Sequence, residues 1–359
     1  MGASSPSTGS GANPPQLTVV LTAFDRRLYL REALRSIAAQ GMGPAELEVL
    51  LLANFEDPET DALLRGLGGR WVRRTDTPLG AWVADGIRMA RGDVVVLMDD
   101  DDLFAPGRLA AILSTFSKEP ELGFYRNATR TFVRPEEALG HGEAGKMKPP
   151  TAVPLRLSGR QRSSKAFFAA WSLGGGYNAS SMAVRPARLG TLPDELASAP
   201  TAAAPFLFYL AWVRGVHIEI DPVVRTWVRV HPGQDSFLFR PPGPERLGQL
   251  EHMAPELVRT CDLIVRFVEG SGTRAPLRPV LQLRATLRIL QACREAQAPR
   301  RQVFCDLLHL LRHPKSSTAG MTRKVVLLGL ARLVSPSWGL RRLRRELGEG
   351  PNGAPARIP

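Results

Sequence analysis

The chain has 359 residues, 44% of them apolar and 23% charged, with a net charge of +13. That is the balance of a soluble globular protein, and the length admits one large α/β domain with an appendage or two compact units. Three widely spaced cysteines, Cys261, Cys293 and Cys305, argue against a disulfide framework or a zinc site and suit a reducing cytoplasm.

Residues 1–15 hold nothing to bury and read as a disordered tail, with neither the basic start nor the apolar run of a secretory signal. Leu17–Leu21 is a short β-branched run suited to a buried strand. After the loop Thr22-Ala23-Phe24-Asp25, Leu30, Leu34 and Ile37 recur at helical spacing, with Arg31, Glu32 and Arg35 on the opposite face. A second strand is predicted at Val49–Leu52, then a helix opening near Pro58 with Leu63, Leu64 and Leu67 inward. Trp71-Val72 is a weak third strand, Leu79–Ala90 a helix, and Val94–Met98 a fourth strand after the breaker Gly92. Strand and helix alternating in this way predict an α/β domain, a parallel sheet covered on both faces. In such sheets ligands bind beyond the carboxyl ends of the strands.

Asp99, Asp100, Asp101 and Asp102 stand at one of those ends, before a helix that starts near Pro106 and buries Leu109, Ile112, Leu113 and Phe116. Four adjacent carboxylates repel one another unless a cation or a proton offsets them. At the mouth of a sheet they form an oxygen-rich site suited to Mg²⁺ or Mn²⁺, ions that keep waters and share their shell with substrate phosphates. The plainer reading is a solvated turn with helix-capping aspartates.

The segments Leu17–Gln40 and Ala90–Pro106 resemble the inverting family 2 glycosyltransferases of the GT-A fold. The likeness is strong to about residue 116 and patchy to about residue 240. It implies a Rossmann-like domain over residues 16–240, in which a strand ends in an Asp-X-Asp-type motif holding the divalent ion on a nucleotide diphosphate. Carried over, Asp99 and Asp101 are the two acids of the motif, and Asp101 is the direct metal ligand. Asp100 or Asp102 would face the ribose or the sugar, and Thr22, Ala23 and Phe24 would line the nucleotide. Val228–Gln234 resembles the family's Tyr-Arg-Val-His-Pro-Gly segment, which puts His231 beside the metal and diphosphate, whereas a lone His before Pro-Gly also suits a plain turn. Gly174–Asn178 resembles the small-residue loop flanking the donor sugar, or else is a flexible loop.

Three departures from the family pattern bear on function. The paired aspartates that usually end the second strand are Ala53 and Asn54 here; an Asn amide both donates and accepts, so Asn54 can still read a base. The Arg-Asn of the helix before the acidic strand is Val83-Ala84, which leaves no cation facing phosphate from that helix. The Glu-Asp pair that supplies the general base has no counterpart in Thr201–Phe206, and Asp194 and Glu195, several residues upstream, are the candidates to replace it. Two readings follow: a glycosyltransferase acting on a lipid-linked or glycan hydroxyl, or a degenerate relative that binds donor or glycan without efficient catalysis. A sugar-phosphate nucleotidyltransferase would want a Gly-rich basic loop where Thr22-Ala23-Phe24-Asp25 stands.

From Glu245 onward the signal is helical: Leu247–Val268, Leu277–Ala292, Val303–Leu311 and Thr322–Val334. These predict a helical C-terminal region over residues 241–347, with a second tail at 348–359. Between Arg300 and Leu347 eleven Lys/Arg face two acids, Asp306 and Glu346, so most of the chain's surplus charge lies here. Nucleic acid is not expected as a partner, because aromatics are few in this segment and no recognition motif appears. Val325–Ala331 is too short to span a bilayer, which needs roughly 20 residues. Flanked by Arg323, Lys324, Arg332 and Arg341–Arg345, it suits either peripheral attachment to an anionic membrane surface, at the cytoplasmic face, or packing on the catalytic domain.

Overall fold

A computed structural model describes residues 15–75, 78–134, 153–201, 203–231, 244–295, 297–312 and 319–348. The predicted tails at 1–15 and 348–359 fall almost wholly outside these, as does the predicted boundary at 240/241.

In chain order the first half runs β1 (Leu17–Ala23), α1 (Leu30–Ala38), β2 (Leu47–Ala53), α2 (Pro58–Gly66), β3 (Arg70–Arg73), α3 (Leu79–Met89) and β4 (Val94–Asp99). All seven residues of β1 and of β2 are buried, which is why their sequences are continuous apolar runs rather than alternating ones. β1 pairs parallel with β2 on one side and β4 on the other, Val20 opposite both Leu50 and Leu97. Successive residues face opposite layers. Leu21, Leu51 and Met98 pack toward α1 and the later α4 (Arg108–Lys118), whereas Val20, Leu50 and Leu97 pack toward α3.

Beyond β4 the sheet changes character. A short β5 (Leu103–Phe104) precedes α4; β6 (Leu122–Phe132), β7 (Leu155–Leu157), α5 (Ser164–Ser172), a 3₁₀ turn (Ala179–Ser181) and β8 (Met182–Val184) follow. After α6 (Pro186–Leu189), α7 (Asp194–Ala197) and α8 (Ala203–Arg214), β9 (His217–Arg229) closes the sheet. The strand order is β3-β2-β1-β4-β8-β6-β9-β5, with β7 also on β9. Most of the pairing is parallel, and β5, β7 and β8 add short antiparallel ladders.

The patterning of residues 122–132 does not announce β6, because its polar side chains are satisfied inside the fold. Asn127 donates to Thr226 Oγ1 at 2.9 Å and Arg126 to the Leu173 carbonyl at 2.7 Å. α8 is buried along almost its whole length, Phe206 through Trp212, as expected of a helix apolar all round. It lies between the sheet and α10.

The C-terminal region comprises α9 (Pro244–His252), α10 (Ala254–Gly270), α11 (Arg278–Arg294), α12 (Arg300–Arg312), α13 (Ala319–Val334) and α14 (Pro336–Leu347). The single helix predicted over Leu247–Val268 is therefore two. Pro255 falls in the first turn of α10, where its missing N–H is harmless; one turn into a continuous helix it would remove a hydrogen bond. α10 ties this region to the α/β layer. Its Cys261, Ile264 and Phe267 pack in the core beneath α8, with Phe206 and Phe267 ring centroids 5.3 Å apart, while Ala254 and Leu257 join a second core with α11–α14. Among the described residues no helix is long and apolar enough to cross a membrane.

Candidate active site at the carboxyl edge of the sheet

The four aspartates begin at the last residue of β4 and turn directly into β5, which pairs antiparallel with β9 through Leu103–Trp227. This brings the end of β9 over the acidic turn. The backbone N–H of Arg229 donates to Asp102 Oδ1 at 3.1 Å, and its Nε to the Asp101 carbonyl at 3.0 Å. The Arg229 guanidinium also pairs with Glu32 and stacks 4.2 Å from the Tyr29 ring and 4.5 Å from Phe132. With its side chain 2% exposed, Arg229 is a fixed strut for the turn.

His231 follows directly. Its Nε2 lies 3.0 Å from Asp101 Oδ2, and its ring packs at a tilt against Tyr29, centroids 4.8 Å apart. The predicted pair of Asp101 and His231 is thus brought together across 130 residues of sequence. Arg26, from the turn after β1, joins them: Nε donates to Asp100 Oδ2 at 3.0 Å and Nη2 to Asp101 Oδ2 at 2.8 Å.

Asp99 is engaged differently. Its N–H donates to Ser180 Oγ at 2.9 Å, Ser180 Oγ donates back to Asp99 Oδ2 at 3.2 Å, and Thr22 Oγ1 reaches Oδ1 at 3.4 Å. Asp99, expected to share the metal, is therefore directed at β8's 3₁₀ turn rather than at His231. Among the described residues no three His, Cys, Asp or Glu side chains gather as a ready-made cage. Asp102 is interior, accepting from Asn178 Nδ2 at 3.0 Å. Asn178 is held at φ 58° at the end of a turn whose Gly174, Gly175 and Gly176 are buried. A Cβ on Gly174 would lie 2.7 Å from the Arg126 guanidinium, and at φ +89° the residue also needs the left-handed region.

Burial governs the electrostatics. Desolvation, then the charges of Asp101 and Asp100, push the Asp99 carboxyl up to about 7. Desolvation pushes Asp100 up to about 6 against the opposing Arg26 bond, and Asp102 well above the carboxylate range. Behind the turn the fully buried Arg108 donates to Asn127 Oδ1 at 3.0 Å and lies over the Phe104 ring at 3.9 Å; its charge opposes the rise at Asp102. Groups whose folded values are raised bind protons on folding, so their stabilising contribution is full below the unfolded value near 3.8 and is lost as pH rises through 6 to 7. The divalent-free protein is expected to lose several degrees of melting temperature between about pH 5 and pH 8, and Asp99→Asn to flatten that slope. Thermal melts across the range decide it; identical slopes in both proteins would exclude Asp99 as the source.

Ala23 pairs with Ala53, which sets the loops after β1 and β2 side by side. Asn54 Oδ1 accepts the Asp25 N–H at 2.9 Å, and its Nδ2 donates to Asp25 Oδ1 at 2.7 Å, fixing Asp25 at φ 52°. One amide hydrogen and one lone pair remain on Asn54. Phe24 is 47% exposed, resting 5.6 Å from the buried Trp82 of α3.

Asp194 and Glu195 lie on α7, and among the described residues no hydrogen bond or ion pair joins them to the acidic turn. The loop after α7 sits on the start of α3: Gly80 N–H donates to Ala199 O at 2.9 Å, and a Cβ at Gly80 would be 2.0 Å from Leu196 O. Thr201 is buried, its carbonyl accepting from Thr260 of α10 at 3.0 Å, and Ala203 and Ala204 are in the core. Val83 and Ala84 are likewise buried. Sequence reading missed Arg26. The available signal was its place one residue beyond the loop predicted to line the nucleotide.

Residues 14–134, roughly a third of the chain, match the profile of the family described as glycosyltransferase-like family 2. Solved structures resemble the chain at low identity. One is TarS 1–349 of S. aureus in complex with UDP-GlcNAc, 12% identical over 87% of this chain and 90% of that one, with a TM-score of 0.48. Another is the mannosyltransferase PcManGT of Pyrobaculum calidifontis in complex with GDP-Man and Mn²⁺, 16% identical over 95% and 90%, with a TM-score of 0.47.

Proposed function

We propose that this chain transfers a sugar from a nucleotide-sugar donor to a hydroxyl of a lipid-linked or glycan acceptor, using Mn²⁺ or Mg²⁺. The observation that carries the reading is the meeting of Asp101 and His231 at 3.0 Å, at the carboxyl edge of the sheet and beside a strand within the family-matched segment. Two protein donors fit an ion that completes its shell with waters and diphosphate oxygens. Such an ion, when bound, supplies Lewis-acid stabilisation of the leaving diphosphate. Phe24 and Asn54 receive the base, one by its ring face and the other by its free amide hydrogen and lone pair. In the transfer the acceptor oxygen forms a bond to the anomeric carbon and the bond from that carbon to the diphosphate oxygen breaks. The nucleoside diphosphate leaves with the electron pair, and the hydroxyl proton passes to a carboxylate, for which Asp194 and Glu195 are the candidates.

Thermal-shift screening of UDP-, GDP- and dTDP-sugars with Mn²⁺ or EDTA tests the reading, because a ligand selective for the folded state raises its melting temperature. Stabilisation by one base class that vanishes in EDTA is expected; no response to any member overturns it. The acid-free stretch Thr201–Ala204, in which Thr201, Ala203 and Ala204 are buried, favours a second reading, a protein that binds donor or glycan without efficient turnover. Donor binding with no transfer across a broad acceptor panel selects that one.

The chain's proposed location is a peripheral one, on an anionic membrane surface such as the cytoplasmic leaflet. Six of the eleven exposed large apolar side chains among the described residues lie on α12–α14: Phe304, Leu311, Leu327, Leu330, Val334 and Trp338. Exposed Arg300, Arg301, Arg312, Arg341 and Arg345 surround them in sequence. The anchoring residues differ from the Val325–Ala331 stripe taken whole, since Val325 and Leu328 are core. Arg332 is buried, donating to the Ala292 carbonyl at 2.6 Å. Each basic side chain near an anionic bilayer contributes about 1 kcal/mol. The full chain is expected to sediment with anionic vesicles at low salt and to release at high salt. An Arg341→Glu/Arg345→Glu protein should stay in the supernatant; equal sedimentation of the two would show that these helices only pack.

A further inference from the structure

Arg26 leaves the turn after β1 and reaches three side chains that the sheet brings to one place. It forks onto Asp100, with Nε 3.0 Å from Oδ2 and Nη2 on Oδ1, and Nη2 is also 2.8 Å from Asp101 Oδ2. Its Nη1 lies 3.3 Å from His231 Nε2. The guanidinium therefore occupies the same carboxylate oxygen and borders the same ring nitrogen that a divalent ion on Asp101 and His231 would use. A guanidinium and a divalent cation sharing one oxygen repel each other strongly in a site as dry as this one, where Asp100 is 4% and His231 7% exposed. A diphosphate removes that conflict, because its oxygens offer the planar fork a second anion of matching geometry. α3 supplies no such group at Val83 and Ala84, both apolar and buried. The Arg26 side chain is 27% exposed and so borders solvent.

We propose that Arg26 is an exchangeable cation of the donor site, holding Asp100 and Asp101 in the divalent-free protein and moving onto the diphosphate when ion and nucleotide bind together. This deepens the donor-site reading and rests on it. It is a substrate-binding role with an unusual signature: removing Arg26 should strengthen binding of the ion alone and weaken binding of the diphosphate, whereas loss of a merely structural residue weakens both.

The test titrates Mn²⁺ alone, followed by the paramagnetic resonance of free Mn²⁺, and UDP and GDP in saturating Mn²⁺, followed by calorimetry. Arg26→Ala and Arg26→Gln are expected to bind Mn²⁺ alone at least about tenfold more tightly than the wild type, and the diphosphate at least about tenfold more weakly. Arg26→Lys keeps the charge without the fork, so its Mn²⁺ affinity should stay near the wild-type value while diphosphate affinity falls. It also serves if the neutral variants fail to fold. Unchanged or weaker Mn²⁺ binding in the neutral variants overturns the exchange, as does a Lys variant that gains Mn²⁺ affinity as fully as they do. If the wild type binds neither UDP nor GDP, the donor-site reading fails, and the Mn²⁺ arm alone still decides whether Arg26 competes with the ion.

Discussion

Asp101→Ala is expected to abolish divalent-dependent binding of the nucleoside diphosphate, weakening it at least about a hundredfold, or ~2.7 kcal/mol. Its Oδ2 is the atom on which His231 and Arg26 converge, at 3.0 and 2.8 Å. Asp99 is already engaged by Ser180 and Thr22. Asp102 is interior and bonded to Asn178 and the Arg229 N–H. Removing the oxygen leaves one imidazole, too little for an ion that prefers oxygen ligands. Calorimetric titration in Mn²⁺ and in EDTA reads the effect. Wild-type affinity that is the same in both would end the metal assignment, and an alanine variant matching wild type in Mn²⁺ would move the ion elsewhere.

Replacing the general base is expected to cost turnover rather than binding. Either Asp194→Asn or Glu195→Gln should lower kcat by roughly a hundredfold or more while leaving donor affinity intact, the pattern of a group that acts only as the acceptor proton leaves. The argument is by position. Thr201, Ala203 and Ala204, in the stretch where the carboxylate was expected, are buried, and the Thr201 carbonyl accepts from Thr260 of α10. α7 lies immediately before that stretch, and its trailing loop is bonded to the first turn of α3, the helix whose Trp82 supports Phe24. Single-turnover assays with the amide variants separate chemistry from release. Full activity in both would place the base outside α7, and a wild type that binds donor yet transfers to no acceptor would favour the binding-only reading.

The lining of the sheet's carboxyl edge was legible in the sequence to an uneven degree, and the reason is the range over which each signal acts. Strands buried on both faces must be apolar throughout, so β1, β2 and β4 declare themselves in runs such as Val94–Met98, and a run of acids straight after one marks a strand end. Local chemistry of this kind determined the parallel α/β layer, the helical C-terminal region and the place of the acidic turn. β6 gave no such signal, since its polar side chains find partners only after β8, β9 and α5 have folded around them. The same holds for the site's electrostatics. Nothing near Arg26 in sequence shows that it will bridge Asp100, Asp101 and His231, and Arg332 reads as a solvated charge until the Ala292 and Glu295 carbonyls are brought to it. Sequence by itself determined which elements exist and where the acids stand, because those depend on neighbours along the chain. Only the tertiary structure decided which aspartate meets the histidine, which cation faces them and which apolar side chains of α12–α14 stay exposed, because those depend on partners up to 205 residues away.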